Sequence, residues 1–215
     1  MKNILTIDFD IIMAPCIELY NHMVPNVSWE NLMTNFSQGK LFHADLYLYQ
    51  FLTDKLLFLL EKMNKEDIVV IENHGQIIKY LDLNEKMNIY NIDHHHDCGY
   101  PNSQGKIEED ILNCSNWGLI LSKKKILNNF YWIRNDNSNI PNNDVRKVDF
   151  IDIELSKFNF ENMPIPDQLI LCLSEPWVPP YIRPLFFTWL DIANKYYNTE
   201  FEIDYTRCSR EKIII

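Results

Sequence analysis

A short apolar run, Asn88-Ile89-Tyr90-Asn91-Ile92, leads directly into Asp93-His94-His95-His96-Asp97. The run has the length and composition of a buried strand. Its acids and histidines therefore fall at a strand end, where unpaired buried charge is strongly unfavourable. In extended backbone the side chains alternate, so Asp93, His95 and Asp97 share one face while His94 and His96 point the other way. Two carboxylates and an imidazole converging on one face suit a divalent metal better than they suit packing.

The same punctuation recurs along the chain. Ile4-Leu5-Thr6-Ile7 reads as a first buried strand ending at Asp8-Phe9-Asp10, and Asp67-Ile68-Val69-Val70-Ile71 as a second ending at Glu72-Asn73-His74-Gly75. Further strands are expected at 129–133, 148–153 and 168–173, the last running into Ser174-Glu175-Pro176-Trp177. Helices are expected around 29–36, over 41–63, at 76–81, from 116 to 127 and over 186–197. The second is the strongest, with Leu52, Leu56, Leu59, Leu60 and Met63 at helical spacing and Asp45 in its first turn. Residues 100–105 and 134–143 read as loops, and the apolar tail 212–215 as an added edge strand. Strands alternating with helices imply an α/β three-layer sandwich with a largely parallel central sheet. In such sheets functional groups collect at the carboxyl ends of the strands. Asp8, Asp10, His74, Asp93 to Asp97 and Glu175 all lie just after a predicted strand.

The chain has 215 residues, 47% hydrophobic and 23% charged, which predicts one domain over 1–215 with a substantial core. No repeat, linker or composition break divides it. The net charge of −10 disfavours nucleic acid and fits a cationic substrate or partner. Cys16, Cys98, Cys114, Cys172 and Cys208 are scattered without a CxxC pair, and no signal-peptide pattern opens the chain. A reduced cytoplasmic setting is expected. No apolar run has the length of a membrane span. The densest, Leu56-Leu57-Phe58-Leu59-Leu60, lies between Lys55 and Glu61 and reads as a core helix.

Asp8, Asp10, Asp93, Asp97, His74 and His95 together offer four carboxylates and two imidazoles. That set suits two divalent ions bridged by carboxylates, and its oxygen content favours Mn²⁺ over Zn²⁺. Paired ions about 3.5–4 Å apart lower the pKa of a shared water and hold hydroxide near neutral pH.

Asp-x-His-x-Asp after a strand, a histidine at the preceding strand end and a separate Asp-x-Asp resemble the metal set of the arginase and ureohydrolase superfamily. In ordinary arginases the Asp-x-Asp lies downstream, whereas Asp8-Phe9-Asp10 lies upstream. In this the chain resembles the permuted, shorter peptide arginases, which convert arginine in ribosomally made peptides to ornithine. Thr6-Ile7-Asp8-Phe9-Asp10, Glu72-Asn73-His74-Gly75, Asn116-Trp117, Trp132 and Leu173-Ser174-Glu175-Pro176-Trp177-Val178-Pro179 carry the likeness over residues 4–180. The resemblance implies an arginase-like sandwich and two Mn²⁺ ions. One would be held by His74, Asp93, Asp97 and Asp8, the other by His95, Asp10, Asp93 and Asp8, with Asp8 and Asp93 bridging. It implies hydroxide attack on the guanidinium carbon of an arginine-containing precursor peptide, giving ornithine and urea. Asp93 and Glu175 are the catalytic candidates. A carboxylate such as Glu175 takes two N–H bonds from a planar guanidinium. Ordinary arginases add a downstream histidine as proton shuttle, and no histidine follows His96.

Plainer readings stand beside these. Alone, Asp8 and Asp10 read as a turn or helix cap, and His74 as a loop histidine. Glu175 in its Pro-rich turn reads equally as an exposed carboxylate, and Glu72 as solvated. His94 and His96 read as packing or supporting residues, although a one-residue slip would exchange them with the ligand set. Trp117, Trp132 and Trp177 read as core, Cys98 as a small packing residue, and Lys123-Lys124-Lys125 as a solvated helix end. Two enzymatic rivals use similar motifs. Asp-His-His phosphoesterases match Ile92-Asp93-His94-His95, but their His-x-Asp-x-Asp-Gly is not found around Asp8 and Asp97 has no role in them. Haloacid-dehalogenase-like phosphatases match Asp8-Phe9-Asp10 but not Ile12. A third alternative is a metal-stabilised protein that binds a peptide without turning it over.

Overall fold

The computed structural model describes residues 1–14, 43–100, 111–138, 148–175 and 177–206. Eight strands occur in them: β1 (Lys2–Asp8), β2 (Met13–Ala14), β3 (His43–Ala44), β4 (Ile68–Ile71), β5 (Met87–Ile92), β6 (Leu127–Arg134), β7 (Ile151–Glu154) and β8 (Gln168–Cys172). Three α-helices accompany them: α1 (Leu46–Leu60), α2 (Trp117–Lys123) and α3 (Arg183–Tyr197). Six strands form one sheet in the order β4-β8-β1-β5-β6-β7, and every pairing in it is parallel. The sandwich with a parallel sheet read from the sequence is the observed architecture. β2 and β3 form a separate antiparallel pair.

Parallel strands covered on both faces read as continuous apolar runs, and β1, β5 and β8 do so. One face of the sheet, carrying Leu5, Ile7, Tyr90, Ile92, Leu169 and Leu171, packs on Leu52, Leu56, Leu59 and Leu60 of α1 and on Phe186, Trp189 and Leu190 of α3. The other face, carrying Ile4, Ile89, Ile170 and Cys172, packs on Trp117 and Leu119 to Leu121 of α2 and on Ile77 of a 3-10 helix, His74–Lys79. Full burial of each such side chain stabilises by about 1.5–3 kcal/mol. β1 is central, between β8 and β5. Its last residue, Asp8, thus lies at the middle of the edge where all six strands end.

Several boundaries move for identifiable reasons. Asp45 precedes α1, and its carboxylate accepts from Leu48 N at 2.9 Å, so it is the N-cap and not a first-turn residue. α2 stops at Lys123 because Leu127 already belongs to β6. α3 begins at Arg183, ahead of the expected start, with Pro184 pre-set for the first turn. It ends where Asn198 turns left-handed at φ 49°. The segment expected to be helical at 76–81 is the 3-10 turn His74–Lys79. The helix expected at 29–36 and the tail strand at 212–215 lie outside the described residues, as do residues 101–105 and 139–143 of the two expected loops. Among the described residues no helix is long and apolar enough to cross a membrane.

Candidate metal centre

Asp8, Asp10, His74, Asp93, His95 and Asp97 all lie along the carboxyl edge of the sheet and form two touching groups. In the first, His74 Nδ1 stands 3.1 Å from Asp8 Oδ2, 3.1 Å from Asp93 Oδ2 and 3.0 Å from Asp97 Oδ2. In the second, His95 Nδ1 stands 3.2 Å from Asp10 Oδ2 and 3.6 Å from Asp93 Oδ1. Asp93 therefore turns one oxygen to each histidine.

The means of convergence differs from simple strand alternation. β5 ends at Ile92, and bends at residues 93–95 follow, with 96 and 97 irregular. Asp93 Oδ1 accepts from the His95 backbone N–H at 2.8 Å, which turns the chain back. Asp97 has a left-handed backbone, φ 53°, which a short polar side chain tolerates. Its carboxylate is brought round to the face that Asp93 already occupies. The same curl sends His94 and His96 elsewhere. His94 Nε2 donates to Met13 O at 3.0 Å while Nδ1 accepts from Ser138 Oγ at 2.8 Å. His96 stacks on Tyr100, and its Nδ1 accepts from Cys98 N at 3.0 Å.

On β1, Asp8 is at once a turn cap and a neighbour of His74. It caps the 3-10 turn Phe9–Ile12 by accepting from Asp10 N at 3.2 Å, and its other oxygen faces His74. Phe9 between the two aspartates is fully buried and packs edge-to-face on Phe186 and Trp189 at ring separations of 5.2 and 5.0 Å. That anchor on one side of the sheet fixes the acids that flank it. His74 opens its 3-10 turn, whose start is locked by Asn73 Oδ1 accepting from Gly75 N and Gln76 Oε1 accepting from Asn73 N.

Burial makes this concentration of charge expensive. The side chains of Asp8, Asp10, His74, Asp93 and Asp97 are 0–7% exposed, and only His95, at 29%, reaches solvent. Burial and the neighbouring Asp93 charge push the Asp97 carboxyl up to about 7. Burial, Asp8 and Asp93 push Asp10 up to about 6, and burial and Asp93 raise Asp8. Burial would raise Asp93 as well, but hydrogen bonds from His74 and His95 outweigh it and hold that carboxylate below its ordinary range. Burial opposes the charged form of His74 and His95, yet Cys172, Asp8 and Asp93 around the first and Asp10 and Asp93 around the second lift both well above the usual imidazole value. Burial lowers His94, in keeping with its neutral hydrogen bonding. Both oxygens of Asp10 are buried without a well-aligned hydrogen bond, and His95 Nδ1 stands 3.2 Å from Oδ2. A buried carboxylate so placed calls for a cation.

The spacing fits one. With metal–ligand bonds of about 2.1 Å, adjacent ligands of an octahedral ion lie about 3.0 Å apart. The contacts around His74 Nδ1 are 3.0–3.1 Å. One imidazole proton can serve only one acceptor at a time, whereas one ion could serve His74, Asp93 and Asp97 together. Asp10, Asp93 and His95, like His74, Asp93 and Asp97, have the composition and proximity to hold a metal ion.

Five supporting residues were read otherwise or passed over in the sequence. Thr6 Oγ1 lies 2.6 Å from His74 Nε2 and fixes the ring from behind. Asn91 Nδ2 reaches the His95 carbonyl at 3.2 Å. Each is a polar residue inside a buried strand two positions before an aspartate of the site, which is the signal that marks them. Trp117 and Trp132 are core residues, as expected, but Trp117 Nε1 also donates to Asp97 Oδ2 at 2.7 Å and Trp132 Nε1 to Asp93 O at 3.0 Å. Gly118 permits the approach of α2, since a Cβ there would stand 2.8 Å from Cys98 Sγ. The fifth, Cys172, ends β8 in register with Asp8. Trp177 is only half-buried, with its ring 5.4 Å from that of His95. Glu175 lies in the same turn, and its carboxylate pairs with Arg183 Nη1 while its carbonyl accepts from Arg183 Nη2 at 2.9 Å. Compared with family models, curated proteins and solved structures, the chain matches none.

Proposed function

We propose that this protein is a dinuclear metal hydrolase that removes the guanidinium carbon of arginine, within a ribosomally made precursor peptide, to leave ornithine and urea. The observation that carries the proposal is Asp93 dividing its two oxygens between a His74 group and a His95 group. His74, Asp8, Asp93 and Asp97 would hold one ion, and His95, Asp10, Asp93 and Asp8 the other. Four carboxylates neutralise two divalent ions, and the oxygen-rich donor set favours Mn²⁺. Such a pair, when bound, supplies hydroxide near neutral pH.

The chain's own residues account for the remainder. Asp93 links the two halves and keeps their separation fixed. Thr6 and Trp117 hold His74 and Asp97 in place, so little reorganisation accompanies the reaction. His95, the exposed member, marks the side from which substrate arrives, and Trp177 lies against it. Glu175 already pairs with one guanidinium, that of Arg183, which supports the reading that it can take another. A substrate arginine would share or replace that partner. The net charge of −10 favours approach of a cationic peptide. Water adds to the guanidinium carbon, the C–N bond to the side chain breaks, and the leaving nitrogen takes a proton as urea departs.

Two features favour this reading over an Asp-His-His phosphoesterase. Asp97, which has no role in that chemistry, belongs to the His74 group, and His94 is directed away from both groups. The test is incubation of Mn²⁺-loaded protein with arginine-containing peptides. Stoichiometric urea and loss of CN2H2 from each modified arginine are expected. Phosphate release from phosphoesters without urea would transfer the protein to the rival class. Glu175→Ala is expected to keep its metal and lose guanidinium turnover. Loss of metal would make Glu175 part of the centre instead.

A further inference from the structure

We propose that Cys172 supplies a sulfur ligand to the His74 half of the centre, so that this half takes a thiophilic ion such as Zn²⁺ or Co²⁺ while the His95 half keeps Mn²⁺. The inference rests on the metal reading above and alters only the ion preference of one half.

The placement follows from register. β8 runs parallel to β1 with Cys172 opposite Asp8, and Cys172 shares the α2-facing side of the sheet with Ile170 and Ile4. Its thiol is fully buried. Cys172 Sγ, a carboxylate oxygen of Asp8 and a ring nitrogen of His74 all lie within 4.8 Å of one another. Bonds of about 2.3 Å to sulfur and 2.05 Å to nitrogen put two ligands of one ion about 3.5 Å apart at a tetrahedral angle and about 4.4 Å apart when opposite. The group is within a small adjustment of that range. The thiol's contact to Glu72 O, at 3.7 Å, is weak, and the Ser174 backbone, which favours the thiolate, also reaches the sulfur. Asp10, whose two oxygens are buried without a well-aligned hydrogen bond although His95 Nδ1 stands 3.2 Å from one of them, marks the adjoining half as rich in carboxylate.

The two halves then differ in kind. The His95 half offers nitrogen and oxygen only, from His95, Asp10 and Asp93, with Asp8 alongside. The His74 half adds sulfur, which selects softer ions. As the sulfur–metal bond forms, the thiol proton passes to solvent and the sulfur ligates as thiolate. The other described cysteines do not compete. Cys98 packs against Gly118 beyond Asp97, and Cys114 belongs to none of the His/Cys/Asp/Glu groups that could hold a metal.

Co²⁺ titrated into the metal-free full-length chain provides the test, with wild type and Cys172→Ala followed by absorption. Visible bands report bound cobalt, and a near-ultraviolet sulfur-to-cobalt band reports a thiolate ligand. Wild type is expected to show both, and the variant only the visible bands. Zn²⁺ added to Mn²⁺-loaded wild type is expected to displace one ion of the two, a preference the variant loses. Visible bands without the near-ultraviolet band in wild type would overturn the sulfur ligand while leaving the metal centre intact. Persistence of that band in the variant would do the same. No cobalt spectrum of either kind would overturn the centre and the inference together.

Discussion

Replacing Asp93 with asparagine separates metal binding from folding. The side chain keeps its size and one oxygen, so the bond to the His95 N–H survives, but an amide nitrogen now faces one of the two histidines. An amide nitrogen is a poor ligand, so at most one half of the centre remains. In the metal-free protein the change has opposing parts. It removes the like charge that raises Asp8, Asp10 and Asp97. It also weakens pairing with His74 and His95, a loss of about 1–3 kcal/mol. Metal-free stability should therefore change little. Metal-dependent stability should change greatly. An ion at 100 times its dissociation constant stabilises the native state by about 2.7 kcal/mol, and two ions by roughly 5. For a chain of this size each kcal/mol raises Tm by about 2–4 °C. Wild type should gain on the order of 10–20 °C with Mn²⁺, and Asp93→Asn half of that or less. Differential scanning calorimetry of chelated and Mn²⁺-loaded samples at one pH measures both. A variant with the full wild-type gain would refute the shared carboxylate.

Acid should compete with metal. His74 and His95 are held protonated above the usual imidazole value, Asp97 to about 7 and Asp10 to about 6. Ions must displace those protons, so Mn²⁺ affinity should climb from pH 5 to 8 with proton release, visible by calorimetry in buffers of different ionisation enthalpy. Without metal the sign reverses. The raised Asp10 and Asp97 stabilise the fold below their unfolded value near 3.8, and that contribution disappears as pH rises through about 6 and 7. Metal-free Tm should receive a falling contribution over that window, and one that rose through it would contradict the buried-acid assignment. Thr6→Val, which keeps the shape and removes the bond to His74 Nε2, should weaken metal binding by about 10–100-fold. Unchanged affinity in a competition titration would show that the hydroxyl does not orient the ring.

The α/β layering was legible because β1, β5 and β8 are buried on both faces and read as unbroken apolar runs. The six acids and histidines were legible because each follows such a run, and parallel strands deliver their ends to one edge. Their local geometry was not. Alternation put Asp93, His95 and Asp97 on one face, whereas the structure divides them between the His74 and His95 groups through a curl that needs a left-handed Asp97, which no period-two pattern encodes. Thr6, Trp117 and Trp132 escaped notice as site residues because a residue that fills the core with its body can still aim one polar atom at the site. Cys172 was hidden for a related reason. It is an apolar-looking residue in an apolar strand, and only the β1–β8 register sets it beside Asp8. Glu175 could not be matched to Arg183 from sequence, since that pair depends on how the turn after β8 meets α3.

In the proposed function, Asp8, Asp10, His74, Asp93, His95 and Asp97 gather two cations at the carboxyl edge of the sheet. Anomalous diffraction from Mn²⁺-loaded crystals tests it most directly. Two peaks are expected, one beside His74 and Asp97 and one beside His95 and Asp10, with Asp93 between them. Absence of both peaks, or manganese bound only elsewhere on the molecule, would show that these residues hold no metal pair.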